Sequence, residues 1–244
     1  MLFRSALVAA LRRMPGRRDL VWLSVGLLVG VLGEAVLGAV VVYTKLNPYV
    51  VMTHFMVGIA LLTDAVVLAL RAGRETGTGT RVSKVGRREM RVSQAMVGLL
   101  AVALVAGTAT TGAGPHAGGA GAKRLPIALN DMARVHSSIV IVLVALTLAL
   151  VYLLDRTGAP PSVLDRARVL VAVMIAQGAI GYTQYFTHLP AALVAVHVFG
   201  ATAVWSAALW FYDGLFDHAP EVLERQVDLE RRAQRPEPAG AVPA

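Results

Sequence analysis

Three histidines lie inside apolar stretches long enough to cross a membrane, where an ionisable side chain is costly and is therefore a candidate for function. His54, His136 and His197 each follow a loop proline by six to ten residues, so all three are predicted at a similar depth. Neutral imidazole is a common ligand of heme iron, and histidines on facing helices of a four-helix bundle can bind one heme from both sides. The other interpretation is a hydrogen bond from each histidine to a neighbouring helix. The matched depth favours heme ligation, with His136 and His197 as the pair.

Other polar residues of the apolar stretches have narrower predicted roles. Arg134 lies close to the expected outer surface, where it is a candidate partner for heme propionates. Glu34 either forms a hydrogen bond between helices or belongs to a proton route, and Asp64 has no assigned role. His116, in a glycine-rich loop, is either structural or directed at a substrate. The two remaining histidines, His188 and His218, are predicted to be solvated.

Several other kinds of site are disfavoured by what the sequence lacks. It contains no cysteine, which excludes disulfides and thiolate metal sites. It has no HExxH motif or carboxylate cluster for zinc. The glycines of 112–121 lie between helices, so they do not form a phosphate-binding loop.

The elements that position these side chains are predicted to be membrane-spanning helices. The chain is 56% hydrophobic and 16% charged, with a mean hydropathy of +0.63, outside the range of ordinary soluble domains. A helical span needs roughly 20 apolar residues, and the alternating segments typical of a β-barrel do not occur. Six segments reach that length: about 20–43, 48–70, 92–112, 128–153, 166–186 and 190–213. The predicted fold is an all-α integral membrane protein with six transmembrane helices.

Basic residues predict how these helices are oriented. Of the 23 lysines and arginines, 19 lie in the N-terminal segment, in the loops 71–91 and 155–168, or after Gly214. Cytoplasmic loops of membrane proteins carry such an excess. We therefore expect a multi-pass protein of the plasma membrane with both termini in the cytoplasm. This topology, rather than nucleic-acid binding, explains the net charge of +8.

Two stretches 143 residues apart repeat one pattern of helix, proline-containing turn and helix with a histidine. The shift implies a repeat unit of four helices, with both copies entering the membrane in the same direction. The first copy is incomplete, because residues 1–17 align with the end of a spanning helix and are predicted to be a partial N-terminal helix. The matched pairs are Gly38 and Gly181, Thr44 and Thr187, Leu46 and Leu189, and His54 and His197. Close helix packing is predicted at Gly26, Gly30, Gly33 and Gly38.

The predicted organisation follows from this parallel duplicated four-helix bundle. Residues 1–70 are the remainder of the N-terminal half, 71–91 a basic cytoplasmic linker, 92–213 a complete C-terminal half, and 214–244 a cytoplasmic tail. The charged tail from Asp217 to Ala244 is predicted to be a short helix followed by disorder.

Four segments together resemble heme A synthase of the actinobacterial type: LNPYVVMTHFMVG, GTATTGAGPHAGG, ARVHSS and QYFTHLPAALVAVHVFGA. The resemblance covers Asp19 to Phe216 and implies eight helices in two four-helix halves. It also implies oxidation of the C8 methyl group of heme O to the formyl group of heme A, with heme b as a bound cofactor. The expected partners are heme O, heme O synthase, the cytochrome oxidase assembly apparatus, membrane lipid and a second copy of the chain.

The resemblance assigns the histidines to two hemes. His136 and His197 map onto the heme b ligands of the C-terminal half, and His54 maps onto one ligand of the substrate heme in the N-terminal half. The second ligand of the substrate heme and the family's glutamate map before Met1, so no catalytic residue is assigned. We expect either a start codon upstream or a shortened form that binds heme b without completing the reaction. The alternatives are a membrane b-type bis-histidine cytochrome or heme carrier, and a transport or scaffold protein whose histidines only pack.

Overall fold

The computed structural model describes residues 17–74, 81–117 and 121–218. Each predicted span corresponds to one α-helix, with bounds within five residues of the prediction. The helices are α1 (Arg18–Tyr43), α2 (Pro48–Ala72), α3 (Arg87–Ala113), α4 (Leu129–Arg156), α5 (Pro161–Phe186) and α6 (Ala191–Gly214). Two short strands, β1 (Arg81–Ser83) and β2 (Phe216–His218), pair antiparallel. The predicted partial helix at residues 1–16 lies outside the described residues.

Five of the six helices are long and apolar enough to cross a membrane. The remaining helix, α5, has the same length of 26 residues as α1 but carries Asp165, Arg166 and Arg168 near its start. Exposed aromatic side chains lie near the ends of the helices, as in the aromatic belts of membrane proteins: Tyr43, Tyr49, Tyr182, Tyr185 and Phe186 near one end, Trp22 and Tyr152 near the other. The chain is therefore a multi-pass membrane protein.

Helices α3 to α6 form a four-helix ring in which each helix packs against its two neighbours. Helices α4 and α6 lie across the diagonal of this ring and do not pack backbone to backbone in the described part of the chain. Helix α2 packs against α3 and α6 from outside the ring, and α1 contacts only α2 among the described elements. The structure is thus a closed four-helix bundle with a helical hairpin attached to one side.

The two ends of the ring carry different connections. One end, which we call the turn end, carries the connections α1–α2, α3–α4 and α5–α6. There His116 Nε2 lies 2.7 Å from the Leu189 carbonyl oxygen. The opposite end, which we call the basic end, carries the connections α2–α3 and α4–α5. There Arg74 forms an ion pair with Asp213 of α6. These contacts join the loops to the ring at both ends.

The apolar core fills the half of the ring nearest the basic end. Buried positions recur every three or four residues, the spacing of knobs-into-holes packing: Leu143, Thr147, Leu150 and Leu154 on α4; Val163, Ala167, Leu170 and Met174 on α5; Val204, Ala208 and Phe211 on α6. Apart from Met174 at the middle of α5, the turn-end halves of these three helices, which are fully described, contribute no buried side chain. Helix α3 has buried residues as far as Ala113. Three of the four ring helices are therefore packed more loosely towards the turn end than towards the basic end.

The two turns of the predicted repeat have matching backbone geometry. Lys45 and Leu46 have φ angles of 53° and 61°, and His188 and Leu189, each 143 residues later, have 63° and 61°. In both turns the leucine N–H donates to the carbonyl five residues earlier, at 2.9 Å and 2.7 Å. Positive φ is uncommon outside glycine. Four such residues at matched positions are an independent structural sign of the repeat.

The strand pair is an element that the sequence pattern does not predict. Its register places Val82 opposite Asp217, and Lys84 N–H donates to the Leu215 carbonyl oxygen at 2.8 Å. The predicted helix from Asp217 is therefore wrong for Asp217 and His218, and the rest of the tail lies outside the described residues. The strands are only three residues long. They pair because α2 and α6 end near each other, which local sequence does not reveal.

Three of the four glycines that were predicted to pack between helices do so. A Cβ atom at Gly26 or Gly30 would meet Asp64 or Leu61 of α2, and Gly38 lies beside His54. The prediction for Gly33 is wrong, because no heavy atom outside its own helix backbone lies within 4 Å of a Cβ placed there. Glycines four apart share one face of a helix, and Gly33 falls off that face.

Thr63→Val is expected to lower the free energy of unfolding by about 1 kcal/mol, because it leaves a largely buried indole N–H unpaired. Trp205 Nε1 of α6 donates to Thr63 Oγ1 of α2 at 2.8 Å, joining the hairpin to the ring. The measurement is unfolding in mixed detergent micelles, followed by circular dichroism. Thr53→Val is the matched control, because the exposed Thr53 hydroxyl bonds only to its own helix, at Tyr49. Equal stability of the two variants would contradict the prediction.

Candidate heme-binding site

His136 of α4 and His197 of α6 face each other across the diagonal of the ring. Their ring centroids are 6.5 Å apart, and their planes are nearly perpendicular, at 86°. Both side chains are partly buried, and Nδ1 of each is buried without a hydrogen-bond partner in the part of the chain that the structure describes. The structure thus brings together the two histidines that the sequence paired.

The separation of the two rings leaves room for an iron atom between them. A bond from an imidazole nitrogen to a metal is about 2 Å long, so two rings that bind one iron from opposite sides have centroids roughly 6 Å apart. The observed separation of 6.5 Å is close to that value. Both residues lie in the turn-end half of the ring, where α4, α5 and α6 have few buried side chains. His136 and His197 are therefore the residues that would hold heme iron.

Each histidine of the pair rests against a glycine of the preceding helix. A Cβ atom at Gly107 would lie 3.1 Å from Cε1 of His136, and one at Gly181 would lie 2.9 Å from Cε1 of His197. A methyl group at either position would require the ring to move. We refer to Gly107 and Gly181 as the seat glycines. In the sequence, Gly181 was recognised as a matched position of the repeat, but no function was predicted for it. No sequence pattern predicted a function for Gly107.

His54 belongs to the α1–α2 hairpin and has a different partner. Its Nδ1 atom forms an ion-pair contact with Oε2 of Glu34 on α1. The Glu34 side chain is only 15% exposed, whereas that of His54 is 38% exposed. Glu34 therefore contacts the neighbouring helix, and the choice between a hydrogen bond between helices and a proton route stays a prediction.

His54 and Glu34 line a cleft of about 510 Å³ beside α2. This volume is in the range of small-molecule sites. Apolar side chains form most of the lining, and Thr202 of α6 contributes a hydroxyl group: the other lining residues are Val51, Phe55, Gly58, Ile59 and Leu62. The cleft therefore presents one imidazole and one carboxylate to a mainly apolar space.

Arg134, the predicted partner of heme propionates, lies in the turn-end part of α4, and that role stays a prediction. Its guanidinium lies 3.5 Å from the Asp131 carboxylate, and its side chain is 79% exposed. Arg134 precedes His136 by two residues, and residues two apart do not share a helix face. The structure therefore directs Arg134 away from the histidine pair.

The two other residues that lacked an assigned role lie away from the histidine pair. His116 contacts the Leu189 carbonyl oxygen through Nε2, which supports the structural interpretation of this loop histidine. Asp64 faces Gly26 of α1, and its Oδ1 atom is buried without a hydrogen-bond partner among the described residues. The exposed position of His188 agrees with its predicted solvation, and the side chain of His218 lies outside the described part of the chain.

The comparison with protein families identifies one match. A family model described as cytochrome oxidase assembly protein, COX15-CtaA, matches residues 1–209. This region contains His54, His136 and His197. A search among curated proteins found no match to the chain.

Proposed function

Because the chain belongs to the heme A synthase family of cytochrome oxidase assembly proteins, we propose that it oxidises the C8 methyl group of heme O to the formyl group of heme A. The observation that carries this proposal is the pair of His136 and His197, at 6.5 Å, in the turn-end half of the ring, where three of the four helices are packed more loosely. The proposed cofactor is heme b, held by these two residues. When bound, it supplies one-electron redox chemistry.

The proposed substrate site is the cleft beside α2. His54 is proposed as a ligand of the substrate heme, and the apolar lining of the cleft would bind the macrocycle and exclude water. The ring and the hairpin thus form two separate heme sites joined by the contacts of α2 with α3 and α6. Separate sites allow one heme to remain bound while the other is exchanged as substrate and product.

The family is described as cytochrome oxidase assembly protein, and the proposed activity would serve that assembly. Heme O has to be supplied by heme O synthase, and heme A has to be passed to the oxidase. We propose a plasma-membrane location with both termini in the cytoplasm, because the basic residues concentrate at the basic end of the ring. The hairpin side of the protein, 1–70, would then be the substrate half, and 92–213 the heme b half.

Expression of the chain together with its upstream coding sequence, beside a heme O synthase in bacterial cells that make no heme A, is expected to yield heme A. The measurement is chromatography of extracted hemes with mass detection. His54→Ala is expected to abolish heme A while retaining heme b in the purified protein, and His188→Asn, at the exposed turn, is the control that retains both. Purified protein with heme b but no heme A in the cells would instead support a b-type cytochrome or heme carrier. Protein without any heme would contradict both functions.

A further inference from the structure

The two related hairpins differ at the residue one helical turn before the matched glycine. Glu34 precedes Gly38 by four residues in α1, and Gln177 precedes Gly181 by four in α5. Oε2 of Glu34 lies in ion-pair contact with Nδ1 of His54, and Nδ1 has no hydrogen-bond partner in the described part of the chain. Gln177 instead donates from Nε2 to the backbone carbonyl oxygen of His197 at 2.7 Å. Only the hairpin with the cleft therefore places a carboxylate against its histidine ring.

We propose that Glu34 is a positioning residue that accepts a hydrogen bond from Nδ1–H of His54 and so keeps Nε2 unprotonated for iron. This inference rests on the proposed role of His54 as a ligand of the substrate heme. A histidine that donates one ring N–H to a carboxylate has a fixed tautomer and a fixed ring orientation, and it becomes a more basic metal ligand.

The surroundings of Glu34 favour this role over packing alone. Its side chain is only 15% exposed, and its second oxygen, Oε1, is buried without a hydrogen-bond partner among the described residues. A carboxylate inside a membrane helix is costly, and an apolar side chain would pack at lower cost. The contact with His54 is the interaction in the structure that offsets this cost.

The tautomer of His54 can be measured without heme. The full chain is labelled with ¹⁵N-histidine, purified heme-free in detergent, and examined by long-range ¹H–¹⁵N correlation spectra, with His54→Ala identifying the signal. We expect a single Nδ1–H tautomer in the unsubstituted protein and a mixture of tautomers in Glu34→Leu, which lacks the acceptor. The same single tautomer in Glu34→Leu would overturn the inference.

Titration with ferric protoporphyrin IX heme tests the consequence for binding. Removal of a carboxylate partner of a ligating histidine typically weakens metal binding about 10–100-fold, so Glu34→Gln is expected to lower the heme affinity of the His54 site about tenfold. Val36→Ala, two residues further along α1 and 67% exposed, is the control that keeps the affinity. The spectrum of heme held by His136 and His197 in the same sample shows that each variant is folded.

The outcomes separate the two proposals. Heme binding that depends on His54 but is unchanged in both Glu34→Gln and Glu34→Leu overturns the role of Glu34 alone. If the unsubstituted protein and His54→Ala bind the same number of hemes, both the proposed substrate site and the proposed role of Glu34 are overturned. A reduced affinity in Glu34→Gln with normal affinity in Val36→Ala supports both.

Discussion

His136→Ala and His197→Ala are each expected to abolish the bound heme b spectrum of the purified protein. The two rings face each other at 6.5 Å, so removing either one leaves the iron with a ligand on one side only. Loss of a ligand is a larger change than loss of a partner that orients it, which already costs about 10–100-fold in affinity. The measurement is the reduced-minus-oxidised absorbance spectrum, with heme quantified as its pyridine complex.

Two substitutions serve as controls for this result. His54→Ala is expected to retain the heme b spectrum, because His54 belongs to the α1–α2 hairpin rather than to the ring. His188→Asn is expected to retain it as well, because His188 is exposed and asparagine tolerates its positive φ of 63°. A full heme spectrum in His197→Ala would falsify the assignment of this ligand pair.

Gly181→Ala is expected to weaken heme b binding about tenfold while leaving all the ligands in place. The added methyl group would lie 2.9 Å from Cε1 and 3.4 Å from Nδ1 of His197, so the ring or the helix has to shift. Overpacking of this kind costs about 1–3 kcal/mol, and about 1.4 kcal/mol corresponds to a factor of ten in affinity. Heme titration of the purified variant measures the change.

The same helix provides a matched control for this substitution. Gly178→Ala adds the same methyl group where no heavy atom outside the helix's own backbone lies within 4 Å, so heme affinity should be unchanged. Gly107→Ala and Gly98→Ala form a second pair on α3, where only the methyl group at Gly107 would approach His136, at 3.1 Å. Equal affinities of Gly181→Ala and Gly178→Ala would show that the seat glycines do not position the ligands.

The sequence by itself determined the helices and the histidines that are candidate heme ligands. Long apolar stretches can satisfy their backbone hydrogen bonds in a membrane only by forming helices, so the six helix bounds were predicted to within five residues. The duplicated turn also appeared in the sequence, because a proline and a histidine kept their spacing over a shift of 143 residues. His136 and His197 could be paired in advance because both lie in the complete second copy of the repeat, on its second and fourth helices, at matched predicted depths.

Side-chain partners were decided by the tertiary structure. Arg134 lies near the expected surface in sequence, but helix periodicity turns it away from His136 and towards Asp131. The contact between Glu34 and His54 depends on how α1 packs against α2.

The close approach of Gly107 to His136 likewise depends on the packing of α3 against α4. Hydropathy and spacing report how far a residue lies along its helix. The rotation of each helix about its axis, and hence the residue that each histidine meets, is set by packing between residues that are distant in the chain.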